Sequence, residues 1–179
     1  MSSYLLLVNR THPLNPDYIP KDLTEPQIPF QAPPGCPKRL LRAQAAIAAE
    51  ELFQKAYQQG LSLWGVSGFR SYTRQKEIYQ NSRSSYVAPP GCSEHQTGLA
   101  LDVSCPAAEF DLTEDFAKTR EYEFLENYGP IYGFILRYPR GKENITGYAW
   151  EPWHIRFVTK TPALYLSFSN ITLEEYHQL

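Results

Sequence analysis

Two hydrophobic rhythms run along this chain. Leu41, Ala45, Ala48 and Leu52 recur at spacings of four, three and four, which is the period of one face of an α-helix. Pro37 suits the first turn of that helix and Gly60 the position just past its end, so a helix is predicted over 37–59. Shorter apolar runs at 63–67, 99–104, 133–138 and 154–158 read as strands. Between them, Ser71 is placed to cap a helix over 72–82. Thr113 is placed to cap another over 114–127 that stops near Gly129, and a short helix is expected over 173–178. Helices and strands alternate without a regular βαβ repeat. The predicted class is therefore α+β, with helices packed on a small, largely antiparallel sheet.

The first 36 residues break both rhythms. Pro13, Pro16, Pro20, Pro26, Pro29, Pro33 and Pro34 crowd this stretch, which reads as an extended arm wrapping the domain, with a short early strand over 4–8. The expected organisation is thus an arm over 1–36 and one domain over 37–179. The loop expected over 83–94 contains Ala-Pro-Pro-Gly-Cys, a pentapeptide that also occurs at 32–36; no longer repeat surrounds it, and the two copies read as similar turns.

Composition narrows the function. A chain of 179 residues suits one core. Its net charge of −2, without a basic run, argues against nucleic acid as a partner. The apolar run at 5–8 is far short of the roughly 20 residues that span a bilayer, and also too short for a signal-peptide core. The chain as given therefore reads as a mature or trimmed form, or as an intracellular protein. Cys36, Cys92 and Cys105 match no common zinc spacing, and at most one disulfide can form among three; Cys92–Cys105 is the pairing that would close a loop around the candidate site.

Two segments carry candidate chemistry. In Ser93-Glu94-His95-Gln96-Thr97-Gly98-Leu99-Ala100-Leu101-Asp102, alternation sends Leu99, Leu101 and Val103 to the core and Gly98, Ala100 and Asp102 to the other face. Asp102 thus shares its face with two of the smallest residues, which leaves room beside the carboxylate. His95 lies across a turn that Gly98 can help form. In Glu151-Pro152-Trp153-His154, Glu151 and His154 converge only if the chain bends near Pro152. His95, Asp102 and His154 would make a three-ligand zinc site with an open fourth position. Glu151 is then placed as general base, and Arg70, in the Ser67-Gly68-Phe69-Arg70-Ser71 turn, as the cation for a developing oxyanion or a substrate carboxylate. No His-Glu-Xaa-Xaa-His helix and no Gly-Xaa-Ser-Xaa-Gly elbow is present.

Ser93-Xaa-His95-Xaa-Xaa-Gly98-Xaa-Ala100-Xaa-Asp102 followed by Glu151-Xaa-Trp153-His154 resembles the paired signature of the VanY-type D-alanyl-D-alanine carboxypeptidases, whose relatives include L,D-carboxypeptidases and VanX-type dipeptidases. The resemblance extends to residues 66–71, 132–139 and 142–148, and to segments of the arm, so it covers nearly the whole chain. It implies a hedgehog/D-Ala-D-Ala peptidase-like fold and one zinc ion bound by His95, Asp102 and His154. Glu151 is implied as base and Arg70 as stabiliser of negative charge. Ser93 is implied near the terminal carboxylate of the substrate, Gln75 as a further contact, and Tyr148 and Trp153 as pocket walls.

The implied partner is a peptidoglycan stem peptide or muropeptide, cleaved by a monomer at its terminal D-alanine bond in the D,D or L,D sense. That substrate places the protein outside the cytoplasmic membrane, in periplasm or wall, unless it recycles fragments inside the cell. Two competing readings use the same fold. One is a cell-wall binding module with a vestigial zinc site, as in the hedgehog signalling domain, against which Glu151 and Arg70 argue. The other is an endopeptidase cutting an internal stem bond.

Overall fold

A computed structural model describes residues 3–82, 84 and 86–179. Residues 1, 2, 83 and 85, which fall in the expected arm and the expected loop, lie outside the described residues.

The site is built on a four-stranded antiparallel sheet. Its strands are β3 (Trp64–Ser67), β4 (Ala100–Ser104), β5 (Phe134–Leu136) and β6 (His154–Phe157), in the order β3-β4-β6-β5. A two-stranded antiparallel pair, β1 (Leu23–Thr24) and β2 (Leu41–Arg42), forms a separate sheet. The helices are α1 (Ala43–Gln58), α2 (Tyr72–Asn81), α3 (Arg120–Tyr128), α4 (Glu143–Thr146), α5 (Lys160–Ser169) and α6 (Leu173–Tyr176).

Strand alternation divides the sheet into two chemically different faces. Leu101, Val103, Phe134, Ile155 and Phe157 belong to the main core, together with Ala45, Ala48, Ala49, Leu52 and Phe53 of α1 and Phe124 and Leu125 of α3. Alanines along α1 let its backbone approach the sheet, and each buried Leu or Phe contributes about 1.5–3 kcal/mol. The other face carries Ser67, Ala100, Asp102, His154 and Arg156. In register, Asp102 stands opposite His154 on one side and Ser67 on the other, and Ala100 stands opposite Arg156. Ile135, opposite Arg156 on β5, joins a second cluster with Val158, Ala163, Leu166 and Leu173, which seats α5 and α6.

Residues ahead of β2 lie along this body. Phe30 bridges Gly65 in parallel, and its ring occupies the space where a Cβ on Gly65 would stand. Leu14 donates to the carbonyl of Gly91, and the Gln96 side chain donates to those of Asn15 and Tyr18. Both Ala-Pro-Pro-Gly-Cys segments form the same turn: the cysteine N–H bonds to the carbonyl of the first proline, and the glycine has φ near +80°, at 79° and 83°.

The fold corrects several expected elements. The helix predicted from residue 37 begins at Ala43. Its first residues form a 3-10 turn, Pro37–Arg39, and then β2, because this backbone bonds elsewhere: Gly68 and Phe69 donate to Lys38 and Leu40, and Arg42 donates to Gly98. The helix predicted over 114–127 is broken at Thr119, which is extended and caps α3 by accepting from the Tyr122 N–H; residues Glu114–Lys118 form a separate 3-10 turn, and Thr113 makes no side-chain cap. Residues 4–8 form no strand. Ser3–Leu5 is a 3-10 turn, and the carbonyls of Tyr4 and Leu6 accept from Arg156 instead of from a neighbouring strand.

Helix α5 was not anticipated. Pro162 is its third residue, in the first turn, where a missing N–H leaves no intrahelical bond unmade. No Cys92–Cys105 disulfide forms, and all three cysteines are free. Cys105 lies in the main core, whereas Cys92 packs with Ala88, Tyr138 and Tyr148.

Candidate metal centre and its surroundings

The candidate ligands arrive by short-range devices. His95 sits in a 3-10 turn, Glu94–Thr97, closed by Gly98 at φ 66°. A Cβ at Gly98 would come within 2.7 Å of Leu23 Cδ2, so glycine serves there both for conformation and for space. Asp102 and His154 meet because they are cross-strand partners on β4 and β6. Glu151 reaches the same place through a turn in which the His154 N–H bonds to the Glu151 carbonyl at 3.2 Å. This is the bend that convergence of Glu151 and His154 requires.

His95, Asp102 and His154 are all buried, and one donor atom from each lies within 4.8 Å of the others. His95 Nε2 is 3.1 Å from Asp102 Oδ2, and His154 Nδ1 is 3.0 Å from Asp102 Oδ1. The far nitrogens settle which atoms face the centre. His95 Nδ1 lies 2.7 Å from the carbonyl of Gly68, which can only accept, so Nδ1 carries a proton and Nε2 offers its lone pair. His154 Nε2 faces Glu94 Oε2 at 3.4 Å, which likewise leaves Nδ1 as the donor atom. Two imidazole nitrogens and a carboxylate, each braced from behind, form a donor set that fits a divalent metal with room for a further ligand.

Electrostatics follow from burial among charges. Burial opposes ionisation of Asp102, yet both histidines pull its carboxyl well below the usual range. Burial also opposes the charged form of His154; hydrogen bonds with Asp102 and Glu94 outweigh it and raise the ring to about 9. His95 is pushed down by burial. Glu151, whose Oε2 is 3.6 Å from His154 Nδ1, is raised to about 8, first by burial and then by Asp102 and Glu94, against the pull of His154 and Arg70.

These groups line one cavity of about 330 Å³. Arg70 enters it from the loop after β3, with Nη2 3.8 Å from Asp102 Oδ2. The guanidinium donates to Gln75 Oε1 at 2.9 Å and to Ser67 Oγ at 3.2 Å. Gln75 in turn donates to the carbonyl of Ala88 at 2.7 Å, so both ends of its amide are engaged. Ser93, Tyr148 and Trp153 also line the cavity. Tyr148 donates its hydroxyl to the Cys92 carbonyl, and Trp153 lies in the main core with Tyr86 tilted against it at 5.6 Å. A larger cavity of about 680 Å³, lined by Gln27, Phe53, Tyr57 and Leu61 among others, contains none of these chemical groups.

Sequence reasoning missed Glu94, Tyr138, Arg137 and Arg156. Tyr138 packs on His154 with ring centroids 4.8 Å apart. Arg137 and Arg156 are fully buried and both donate to Glu94. The available signal was an arginine inside each of two apolar strand patterns, since charge placed there is retained only if paired.

Comparison with known proteins agrees with this geometry. Residues 38–160 match the VanY family model, described as D-alanyl-D-alanine carboxypeptidase. YodJ of Bacillus subtilis, named as a carboxypeptidase, is 42% identical over 182 residues, covering 97% of this chain and 67% of its own length. The LdcB LD-carboxypeptidase superposes with a TM-score of 0.94 at 42% identity, over 98% of this chain and 86% of that one. A D,D-pentapeptidase VanY variant from a VanB-type resistance cassette, solved with Zn(II), gives a TM-score of 0.77 at 28% identity, over 98% and 99%. The chain belongs to the VanY family of carboxypeptidases.

Proposed function

We propose that this protein is a zinc-dependent carboxypeptidase that removes the terminal D-alanine from peptidoglycan stem peptides. The observation that carries the reading is the convergence of the His95–Asp102–His154 triad with Glu151 and Arg70 in one cavity. Zinc suits two imidazoles and one carboxylate, and the VanY relative solved with Zn(II) supports that choice of ion. Bound there, zinc supplies Lewis acidity, which polarises a carbonyl and makes water nucleophilic near neutral pH.

The rest of the chemistry belongs to side chains. Glu151 accepts the proton of the attacking water and delivers it to the nitrogen of the leaving D-alanine. Burial, with the Asp102 and Glu94 carboxylates nearby, holds its carboxyl near 8; a dication beside it favours the ionised form that a base requires. Arg70, fixed by Ser67, Gln75 and Asp102, presents its guanidinium to the negative charge on the scissile carbonyl oxygen or to a substrate carboxylate. Ser93 lies near that carboxylate, and Gln75 orients Arg70. Tyr148 and Trp153 form walls, their positions set by the Cys92 carbonyl and the core.

Likeness to LdcB favours the L,D bond of a tetrapeptide stem over the D,D bond of a pentapeptide. A peptidoglycan substrate places the protein on the wall side of the membrane. No helix among the described residues is long and apolar enough to cross one. Every group in the proposed chemistry comes from one chain, so the reaction requires no second subunit.

The test is release of D-alanine from purified tetra- and pentapeptide stems by zinc-loaded protein, with a chelator and Glu151→Gln as controls. Loss of the base lowers turnover about 10²–10⁴-fold, while zinc content stays that of wild type. Zinc-loaded protein that frees no amino acid from either stem would sink the reading.

A further inference from the structure

Glu94 takes no part in the chemistry proposed above, yet it is only 1% exposed. Its Oε1 accepts from Arg137 Nε at 2.7 Å and from Arg156 Nη1 at 2.6 Å, and its Oε2 lies 3.4 Å from His154 Nε2. Both guanidinium groups are held from behind. Arg137 makes a two-bond fork to Glu174 of α6, at 2.8 and 2.7 Å, and Asn9 donates to the same carboxylate at 3.1 Å. Arg156 donates through Nη2 to the carbonyls of Tyr4 and Leu6, at 3.1 and 2.9 Å. The two ends of the chain thus close on a cluster of two arginines and two glutamates behind His154. Apolar side chains of similar volume could fill such a space with equal stability. What they could not supply is an acceptor aimed at one ring nitrogen.

We propose that Glu94 is a positioning residue for His154. Its Oε2 fixes the ring with the proton on Nε2 and Nδ1 turned to the metal centre, and Arg137 and Arg156, anchored by the two chain ends, hold Glu94 in that orientation. The inference rests on the reading of His154 as a metal ligand, and it predicts that groups on α6 and near the N-terminus influence metal affinity without touching the cavity.

Glu94→Gln keeps the shape and reverses one hydrogen bond. The two guanidinium groups retain the amide oxygen at the Oε1 corner, so the NH2 group takes the place of Oε2. An NH2 group cannot accept from His154 Nε2–H. It donates to a bare Nε2 instead, which moves the ring proton to Nδ1, the atom the metal needs.

The experiment uses the full chain and measures zinc affinity by chelator competition, together with the His154 tautomer by ¹⁵N–¹H NMR. Wild type is expected to bind one zinc with His154 protonated at Nε2. Glu94→Gln is expected to bind about 10–100-fold more weakly, with the zinc-free ring protonated at Nδ1. A purely structural role would lower the melting temperature and leave the neutral ring of the variant protonated at Nε2. A folded Glu94→Gln protein with zinc affinity within about twofold of wild type, or with its neutral, zinc-free His154 ring protonated at Nε2, overturns the proposal. If Glu94→Gln does not fold, Glu174→Gln carries the test: weaker zinc binding in a folded protein supports the proposal, and unchanged affinity overturns it. Wild type that binds no zinc refutes the ligand reading itself, and is thereby distinguished from failure of the positioning role alone.

Discussion

Zinc binding to this site must displace a proton, and the structure sets how strongly the two compete. In the absence of metal, the proton on His154 is shared with Asp102 and Glu94, which hold the ring near 9 despite its burial. His95 is depressed by burial and offers no such competition, and Asp102 stays ionised. Counting the His154 proton alone, and leaving any proton released by Glu151 to add to it, apparent affinity scales as 1/(1 + 10^(pKa − pH)). For a pKa of about 9, the denominator is roughly 1,000 at pH 6 and roughly 11 at pH 8, so affinity should rise about a hundredfold over that interval. An ordinary histidine near 6.5 would give a rise of only about fourfold. The assay is competition against a chelator calibrated at each pH. Calorimetry in buffers of different ionisation enthalpy counts the protons released, with about one or more expected per zinc at pH 7. A change of fourfold or less would show that His154 is not held charged in the metal-free protein, and would refute the electrostatic account of the centre.

Three further outcomes are expected. The zinc-free protein should lose thermal stability as pH rises from about 6.5 to 9, above the range in which the depressed His95 acts in the opposite sense. The folded pKa of Glu151 lies above its ordinary value of 4.5 and that of His154 above 6.5, so in both cases the folded state binds more protons than the unfolded one. A melting temperature that stays flat or rises across that range contradicts the assignment. Gly98→Ala should destabilise by about 2–4 kcal/mol, combining a left-handed backbone with a contact into Leu23; urea unfolding measures it, and a change below about 0.5 kcal/mol would mean the turn relaxes freely. Arg70→Lys should lower kcat/KM about 10²-fold with zinc content unchanged, because one ammonium cannot keep the Gln75 and Ser67 bonds and also present a planar face to the substrate. Near-wild-type kinetics would remove Arg70 from the reaction.

The strands that carry the centre were legible because alternation is a local property. Leu99, Leu101 and Val103 mark one face of β4 by themselves, so Asp102 falls on the other without any knowledge of its neighbours. Helix α2 was legible for the same reason, since its cap, Ser71, bonds within its own first turn. Residues 37–42 have helical spacing, but their backbone groups are claimed by Gly68, Phe69 and Gly98, and no periodicity records a partner some 30 to 60 positions away. Pro162 is compatible with α5, because proline breaks a helix interior but not a first turn.

The same distinction explains the candidate site. Its ligands carry a chemical label in their residue types, and a bend at Pro152 was the one tertiary assumption needed to join Glu151 to His154. Glu94 carries no such label. It reads as an ordinary acidic residue in a polar loop, next to a histidine that attracts the attention. Its meaning depends on Arg137, Arg156 and Glu174, which lie 43, 62 and 80 residues further along and touch it, or one another, only after the sheet has formed and both chain ends have closed over it. The groups that would meet a substrate are thus readable from local pattern, whereas those proposed to orient the candidate metal ligands are defined only by the completed fold. In this protein the second set reaches from residue 4 to Glu174, so the precision of a centre built on two adjacent strands depends on nearly the whole length of the chain.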